Sequence, residues 1–380
     1  MSSFDTTETP HTELKIDYWL LAAALLMAGI GLLMVLSASG IMAERFYHDK
    51  YYFFRKQLIF VGIGLGLLTF AACTPLEKIY KWKYAALIAT AFLLLLTKFT
   101  PLGIEVNGAR RWLRFGYFSV QPMEFAKIAL VIYLAWFMSN KKDMVKTFSV
   151  GVVPPFAVSG ALCLLLLIQP DFGGAVFICM LLFLMCLVGG TRSVYLFSSV
   201  ALALGAGWML IINSPYRSRR LLAFLDPFKD AMNTGYQLVQ SLYAFGSGQI
   251  WGVGLGAGKQ KLFFLPEAHN DFIMAVVGEE LGFMGVSFVF ALMGFLLWRA
   301  FNVALRQEDL RNRYAAYGLS LILALGAIMN MAVVLGSAPP KGVPMPFLSY
   351  GGSSLVCSFF CIGLLLNLSR KRNLHYSMGR

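Results

Sequence analysis

Stretches of about 20 apolar residues, each long enough to cross the ~30 Å hydrocarbon core of a bilayer as a helix, recur along the whole chain. Ten such runs are read, beginning near Tyr18, Lys56, Tyr84, Gln121, Gly151, Asp171, Ser193, Asp271, Tyr314 and Tyr350. With 58% hydrophobic and only 13% charged residues over 380 positions, and a mean hydropathy of +0.68, the chain is excluded from the soluble globular classes, and its solvent is the membrane. The expected fold is therefore an all-α polytopic membrane protein with ten transmembrane helices. The first run is longer than a signal-peptide core and is expected to stay as a span, although Ser37-Ala38-Ser39 resembles a cleavage site. No internal repeat is evident, which gives an inverted-repeat transporter no support. One membrane domain is expected: a tail over 1–17, a core over 18–369, a large loop over 213–270 between helices 7 and 8, and a basic tail over 370–380.

An even number of spans puts both termini on one side. The 32 Lys and Arg divide almost evenly between the two sides, so the positive-inside rule decides little by count. Their setting decides more. One set lies in plain polar connectors such as Lys141-Lys142 and Arg370-Lys371-Arg372, and is assigned to the cytoplasm with both termini. The other is mixed with Gly, Pro, Trp and Tyr in the segments 100–120 and 213–270, which face outward in this reading. An outer face this basic points to an anionic ligand, against the alternative that topology tolerates the excess. The six cysteines lie inside apolar runs and read as small hydrophobes.

The charged motifs crowd that outer side. Asp271 closes the segment Leu265-Pro266-Glu267-Ala268-His269-Asn270-Asp271 where a loop meets an apolar helix. A carboxylate there caps the helix; beside Glu267 and His269 and under a basic loop, it is also placed to take a proton from a sugar hydroxyl as a general base. Arg110, Arg111 and Trp112 follow the turn at Asn107-Gly108 and suit either phosphate oxygens or lipid headgroups. Glu124 and Lys127, three residues apart on one helix face, either neutralise each other or face a cavity. Asp171 starts a helix after Gln169-Pro170, with capping and site membership both open. Arg217 and Arg220 lie in the basic run Tyr216–Arg220. Lys341, amid four prolines, precedes Ser349-Tyr350-Gly351-Gly352-Ser353, a glycine-serine helix start whose amides suit phosphate oxygens. Glu279 and Glu280, about 12 Å into their helix at 1.5 Å per residue, are left open among packing, a proton relay and a lateral channel.

Taken in order, Arg110-Arg111-Trp112, Gln121-Pro122, Gln169-Pro170-Asp171, Pro266 through Phe272 and Lys341 through Ser354 resemble the SEDS family (shape, elongation, division and sporulation) along essentially the whole chain. Tyr216-Arg217 with Arg220, Gln237–Ser241 and Glu267-Ala268-His269 resemble its division branch; Asn270, where a Thr is usual, and Pro340 depart from the pattern. The resemblance implies a peptidoglycan glycosyltransferase of the bacterial inner membrane, active on its periplasmic face at the septum. The enzyme would polymerise lipid II with a cognate class B penicillin-binding protein, an FtsI-like transpeptidase, among other division proteins. In that chemistry Asp271 is the base. Arg111, Arg217, Arg220 and Lys341 stabilise the departing pyrophosphate, Glu124 and Lys127 orient the site, and His269 supports Asp271. Room remains for a divalent cation, Mg or Mn, without a ligand cluster that demands one. Nothing points to nucleic acid. The rivals are a lipid II flippase, which needs ionisable groups along the whole crossing path, and a non-catalytic scaffold of the division complex.

Overall fold

The computed structural model describes residues 16–375 apart from 107, 117, 215–217, 220, 221, 223, 234, 263, 340 and 341. Its helices are α1 (Tyr18–Tyr47), α2 (Tyr52–Cys73), α3 (Leu76–Lys81), α4 (Lys83–Phe99), α5 (Pro122–Asn140), α6 (Phe148–Gly151) and α7 (Val153–Ile168). They continue as α8 (Phe172–Val188), α9 (Ser193–Ile212), α10 (Tyr236–Gly248), α11 (Ile273–Leu305), α12 (Leu310–Val334) and α13 (Gly352–His375). Among the described residues eight helices are long and apolar enough to cross a membrane: α1, α2, α5, α6 with α7, α9, α11, α12 and α13. The other two expected spans coincide with α4 and α8, of 17 residues each, which at 1.5 Å per residue reach about 26 Å and fall just short of a ~30 Å core.

The expectation of an all-α chain needs one correction. Between α4 and α5 lies a three-stranded antiparallel sheet, β1 (Gly103–Val106), β2 (Ala109–Phe115) and β3 (Phe118–Val120), in the order β1-β2-β3. The Asn107-Gly108 pair that reads as a simple turn is a hairpin signal, and Gly108 indeed takes φ +76°. The strand alternation then sorts β2: Ala109 and Leu113 are buried while Arg110 and Arg114 are exposed, so Arg111 shares the inward face.

Polar ties mark the two ends of the bundle. At one end the Asp17 carboxylate accepts from Arg299 Nη2 at 2.6 Å, and the Asp17 amide donates to Ser369 Oγ at 3.3 Å, so the first and last described helices begin and finish together. Tyr80 donates to Asn312 Oδ1 at 3.0 Å, and Asn367 Nδ2 donates to the carbonyls of Ala71 and Thr74 at that same end. The opposite end gathers the sheet and the starts of α5, α8, α11 and α13. In between, α13 packs chiefly on α2, α12 on α5, and α11 on α12 and α1.

The segment before α11 does not simply hang from the bundle. Helix α10 packs against α11, and Ser241 Oγ donates to the Val334 carbonyl at 2.8 Å. The glycine-rich chain after it inserts beside a break in α11, where Gly282 adopts φ 65° and ψ −165°. A Cβ on Gly282 would come within 2.3 Å of the Gly252 nitrogen, so glycine is required both for the dihedral and for the approach. The carbonyls that the break frees are taken up: Val253 N donates to Glu279 O and Gly254 N to Glu280 O, each at 3.0 Å. Glu279 accepts from the Lys259 amide at 2.7 Å, and Glu280 pairs with Lys261 at 2.6 Å while accepting from Ser37 Oγ. Non-helical backbone this far along an apolar helix survives because protein meets the freed groups, the amides of Phe283 and Met284 also donating to the carbonyls of Gln249 and Ile250.

The Lys261–Glu280 pair is almost fully buried. Lys261→Met alone is expected to destabilise by about 3–5 kcal/mol, because it strands the Glu280 charge, and Lys261→Met with Glu280→Leu by far less. Thermal unfolding of the purified protein, read by loss of helical circular dichroism, separates the two outcomes.

Candidate active site

Asp271 lies two residues before α11 begins, in a turn where Glu267 takes φ 57° and its carbonyl accepts from the Asn270 amide at 3.0 Å. The Asn270 side-chain amide donates to Glu267 Oε2. Asp271 is half-buried. Burial pushes its carboxyl from 3.8 up to about 7, the Glu267 charge adds to the rise, and the Arg111 guanidinium opposes it. A carboxyl poised near neutrality is suited to exchanging protons with a substrate hydroxyl.

The inward face of β2 carries Arg111, whose charge acts on Asp271. Its Nη2 donates to the Pro170 carbonyl at 2.8 Å, and its Nε lies 3.5 Å from Asp171 Oδ1. Asp171 is buried and caps α8, accepting from the Gly174 amide at 3.1 Å. Capping and site membership are thus compatible, because the carboxylate that holds the helix start also holds the arginine. Arg110 points the other way and pairs with Glu105 at 3.2 Å in the open. Trp112 is half-buried.

On the far side of Asp271 runs the proline-rich segment. A Cβ at Gly342 would sit 3.1 Å from Asp271 Oδ2, so the bare backbone of this glycine lies against the carboxylate. The next residue, Val343, lines a small cavity with Pro344 and Pro346, Gly326 of α12, Ser354 of α13, and Glu124 and Lys127 of α5. Glu124 and Lys127 are both buried and paired at 2.8 Å, with the ammonium also over the Phe177 ring. The pair therefore neutralises itself and faces a cavity at once.

His269 is buried against aromatic rings, its centroid 4.7 Å from Phe53 and 5.6 Å from Tyr350, and its carbonyl accepts from the Tyr350 amide at 2.9 Å. Burial lowers its pKa to about 4, so the imidazole is neutral at neutral pH. Ser349 and Ser353 serve the scaffold: Ser349 Oγ accepts from the Met345 amide at 2.8 Å, and Ser353 Oγ accepts from the Gln121 amide at 2.9 Å. Gly352 gives way to the Phe60 ring, which a Cβ there would meet at 2.4 Å, whereas Gly351 is uncrowded. Arg217, Arg220 and Lys341 lie outside the described residues. Among the described residues no three His, Cys, Asp or Glu side chains gather as a metal would require.

Sequence reasoning passed over Asn330, whose Nδ2 donates to the carbonyls of Asp271 at 2.7 Å and Val343 at 2.9 Å. A lone amide within the apolar run Leu321–Val334 was the available signal.

With this geometry in view, the sequence model of the FtsW/RodA/SpoVE cell cycle proteins matches residues 18–374. The chain belongs to that family. It is 41% identical over 362 residues to a probable peptidoglycan glycosyltransferase FtsW of Trichlorobacter lovleyi, covering 95% of this chain and 94% of the relative. It is 37% identical over 354 residues to the stage V sporulation protein E of Bacillus subtilis, covering 93% and 97%. Among solved structures, a chain from work on "structural coordination of polymerization and crosslinking by a peptidoglycan synthase complex" superposes with a TM-score of 0.79 at 28% identity, covering 95% of this chain and 99% of that one. The rod shape determining protein RodA of Thermus thermophilus superposes with a TM-score of 0.71 at 26% identity, covering 94% and 98%.

The raised Asp271 pKa has a stability consequence. The folded state holds this proton more tightly than the unfolded chain does. The stabilisation is therefore complete below pH 3.8 and lost as pH rises through about 7. Asp271→Asn, which cannot ionise, is expected to melt at a higher temperature than the wild type above pH 7 and to converge with it near about pH 4. Melting curves of both proteins across that range check the sign.

Proposed function

We propose that the chain is a peptidoglycan glycosyltransferase that polymerises lipid II into glycan strands, and that Asp271 is its general base. The observation that carries this reading is the Asp271 carboxyl itself: half-buried, pushed up to about 7, opposed by Arg111 and pressed against the backbone of Gly342. Family membership and the names of the relatives, peptidoglycan glycosyltransferases among them, supply the substrate class.

In the proposed reaction Asp271 takes the proton from the 4-hydroxyl of the acceptor N-acetylglucosamine. The oxygen attacks the anomeric carbon of the donor N-acetylmuramic acid and inverts it, and undecaprenyl pyrophosphate leaves. Charge grows on that pyrophosphate, so preorganised cations contribute most there. Arg111, oriented by Asp171 and the Pro170 carbonyl, is the described candidate; Arg217, Arg220 and Lys341 complete the set. Glu124 and Lys127 shape the polar cavity beyond Val343. Neutral His269 fixes the loop through its ring contacts with Phe53 and Tyr350 and through its carbonyl rather than by charge. Arg110, turned outward, and Trp112 suit the lipid-water boundary.

In this reading ten spans cross the bacterial inner membrane, with the sheet, α10 and the Asp271 turn on the periplasmic side and both termini in the cytoplasm. The solved chain described within a complex that coordinates polymerization and crosslinking supports a class B penicillin-binding protein as partner at the septum. Among the described residues the buried Glu124 and Glu280 are paired with Lys127 and Lys261, which weighs against a flippase.

The test is glycan synthesis from purified lipid II by the full chain with its partner transpeptidase. Wild type is expected to make long strands, and Asp271→Asn, folded and still bound to its partner, is expected to lose at least about a thousandfold, the order of a missing base together with its placement. Normal polymerisation by the variant reduces Asp271 to a structural turn residue, and lipid II crossing the bilayer without glycan formation by wild type favours the flippase.

A further inference from the structure

The turn that carries Asp271 and the loop that covers it come from chain segments about seventy residues apart, and one side chain joins them. Asn330 sits four residues before the end of α12 and is 1% exposed. Both of its amide hydrogens are spent on carbonyls: that of Asp271, at 2.7 Å, and that of Val343, at 2.9 Å. Val343 follows Gly342, whose backbone lies against the Asp271 carboxylate.

We propose that Asn330 is a positioning residue for the glycosyl transfer: it clamps the Asp271 turn to the Gly342–Val343 segment and so sets the distance between the base and the backbone facing it. The inference rests on the reading of Asp271 as the base. Two observations carry it. The two acceptors are the backbones of the base itself and of the segment that touches it. The approach between the two is close at Gly342, where a Cβ would stand 3.1 Å from Oδ2, so that carboxylate or backbone would have to give by a few tenths of an ångström. Placement of a proton acceptor is where such a clamp matters, because an error of about 1 Å at a reacting centre costs on the order of a hundredfold in rate.

The experiment measures polymerisation of lipid II by the full chain with its partner, with rates divided by the folded fraction. Asn330→Ala is expected to lower kcat by about 10–100-fold while leaving KM for lipid II within about twofold, since the substrate's own contacts are kept. Gly342→Ala, which pushes the carboxylate and backbone apart from the other side, is expected to lower kcat similarly. The double variant is expected to fall short of the product of the two losses, because both act on one clearance. If Asn330→Ala does not accumulate in the membrane, Asn330→Ser, which keeps one donor, must show the drop in kcat.

Unchanged kcat in the folded Ala or Ser variant overturns the inference, as does a loss confined to KM or a strict multiplication of the two effects. Asp271→Asn runs in the same assay. If it is inactive while Asn330→Ala turns over normally, the clamp alone fails. If Asp271→Asn polymerises, the reading of Asp271 fails and the clamp with it.

Discussion

In a bilayer no water meets a backbone amide, carbonyl or charge that the fold leaves open, so each must find its partner within the protein. Several features of this molecule answer to that requirement. The break at Gly282 in α11 is tolerated because the glycine-rich chain donates to the freed carbonyls of Glu279 and Glu280. Glu280 is tolerated because Lys261 and Ser37 meet it, and Glu279 because loop amides do. The starts of α5 and α13 are tied by Ser353 to Gln121, and α2 is tied to the turn before α13 by Gln57 Nε2 donating to the Ser349 carbonyl at 3.1 Å. These polar ties act together with side-chain packing at the end of the bundle where the chemistry is proposed.

The same poor solvation gives Asp271 its character. Burial raises its pKa, Glu267 raises it further, and Arg111 keeps it within reach of ionisation. Arg111 is in turn held by a helix cap, Asp171, and by strand register in a sheet of three short strands. A one-residue slip in β2 would turn Arg110 inward and Arg111 to the outside, so a minor element of the fold decides which of two adjacent arginines faces inward.

Much of this was legible in the sequence. The runs of apolar residues gave eight helices of spanning length at the expected places, and the turn carrying Glu267, His269 and Asp271 stood out because ionisable groups cluster there at a helix start. Pairing of Glu124 with Lys127 followed from their spacing. What stayed hidden depends on tertiary context. The sheet within the outward-facing segment 100–120 stayed unseen because its strands are short and their alternation is carried partly by arginines. The burial of α10 against α11 could not be seen from local pattern. Asn330 lay unremarked because one amide in an apolar helix declares nothing until its two acceptors, far away in the chain, are brought beside it. His269, neutral among Phe53 and Tyr350, illustrates the reverse: a residue whose type can take up charge and whose surroundings keep it from doing so.

In the proposed reaction Asp271 acts as a base whose proton affinity is set by its surroundings. The pH dependence of glycan synthesis by the full chain and its partner, measured for wild type and Glu267→Gln, tests that most directly. The account predicts that the wild-type rate rises with pH through a midpoint near 7, as the carboxyl ionises, and that Glu267→Gln moves the midpoint to lower pH by removing the charge that raises it. A wild-type rate that is flat from about pH 5.5 to about pH 8.5, or a midpoint that Glu267→Gln leaves in place, would contradict it.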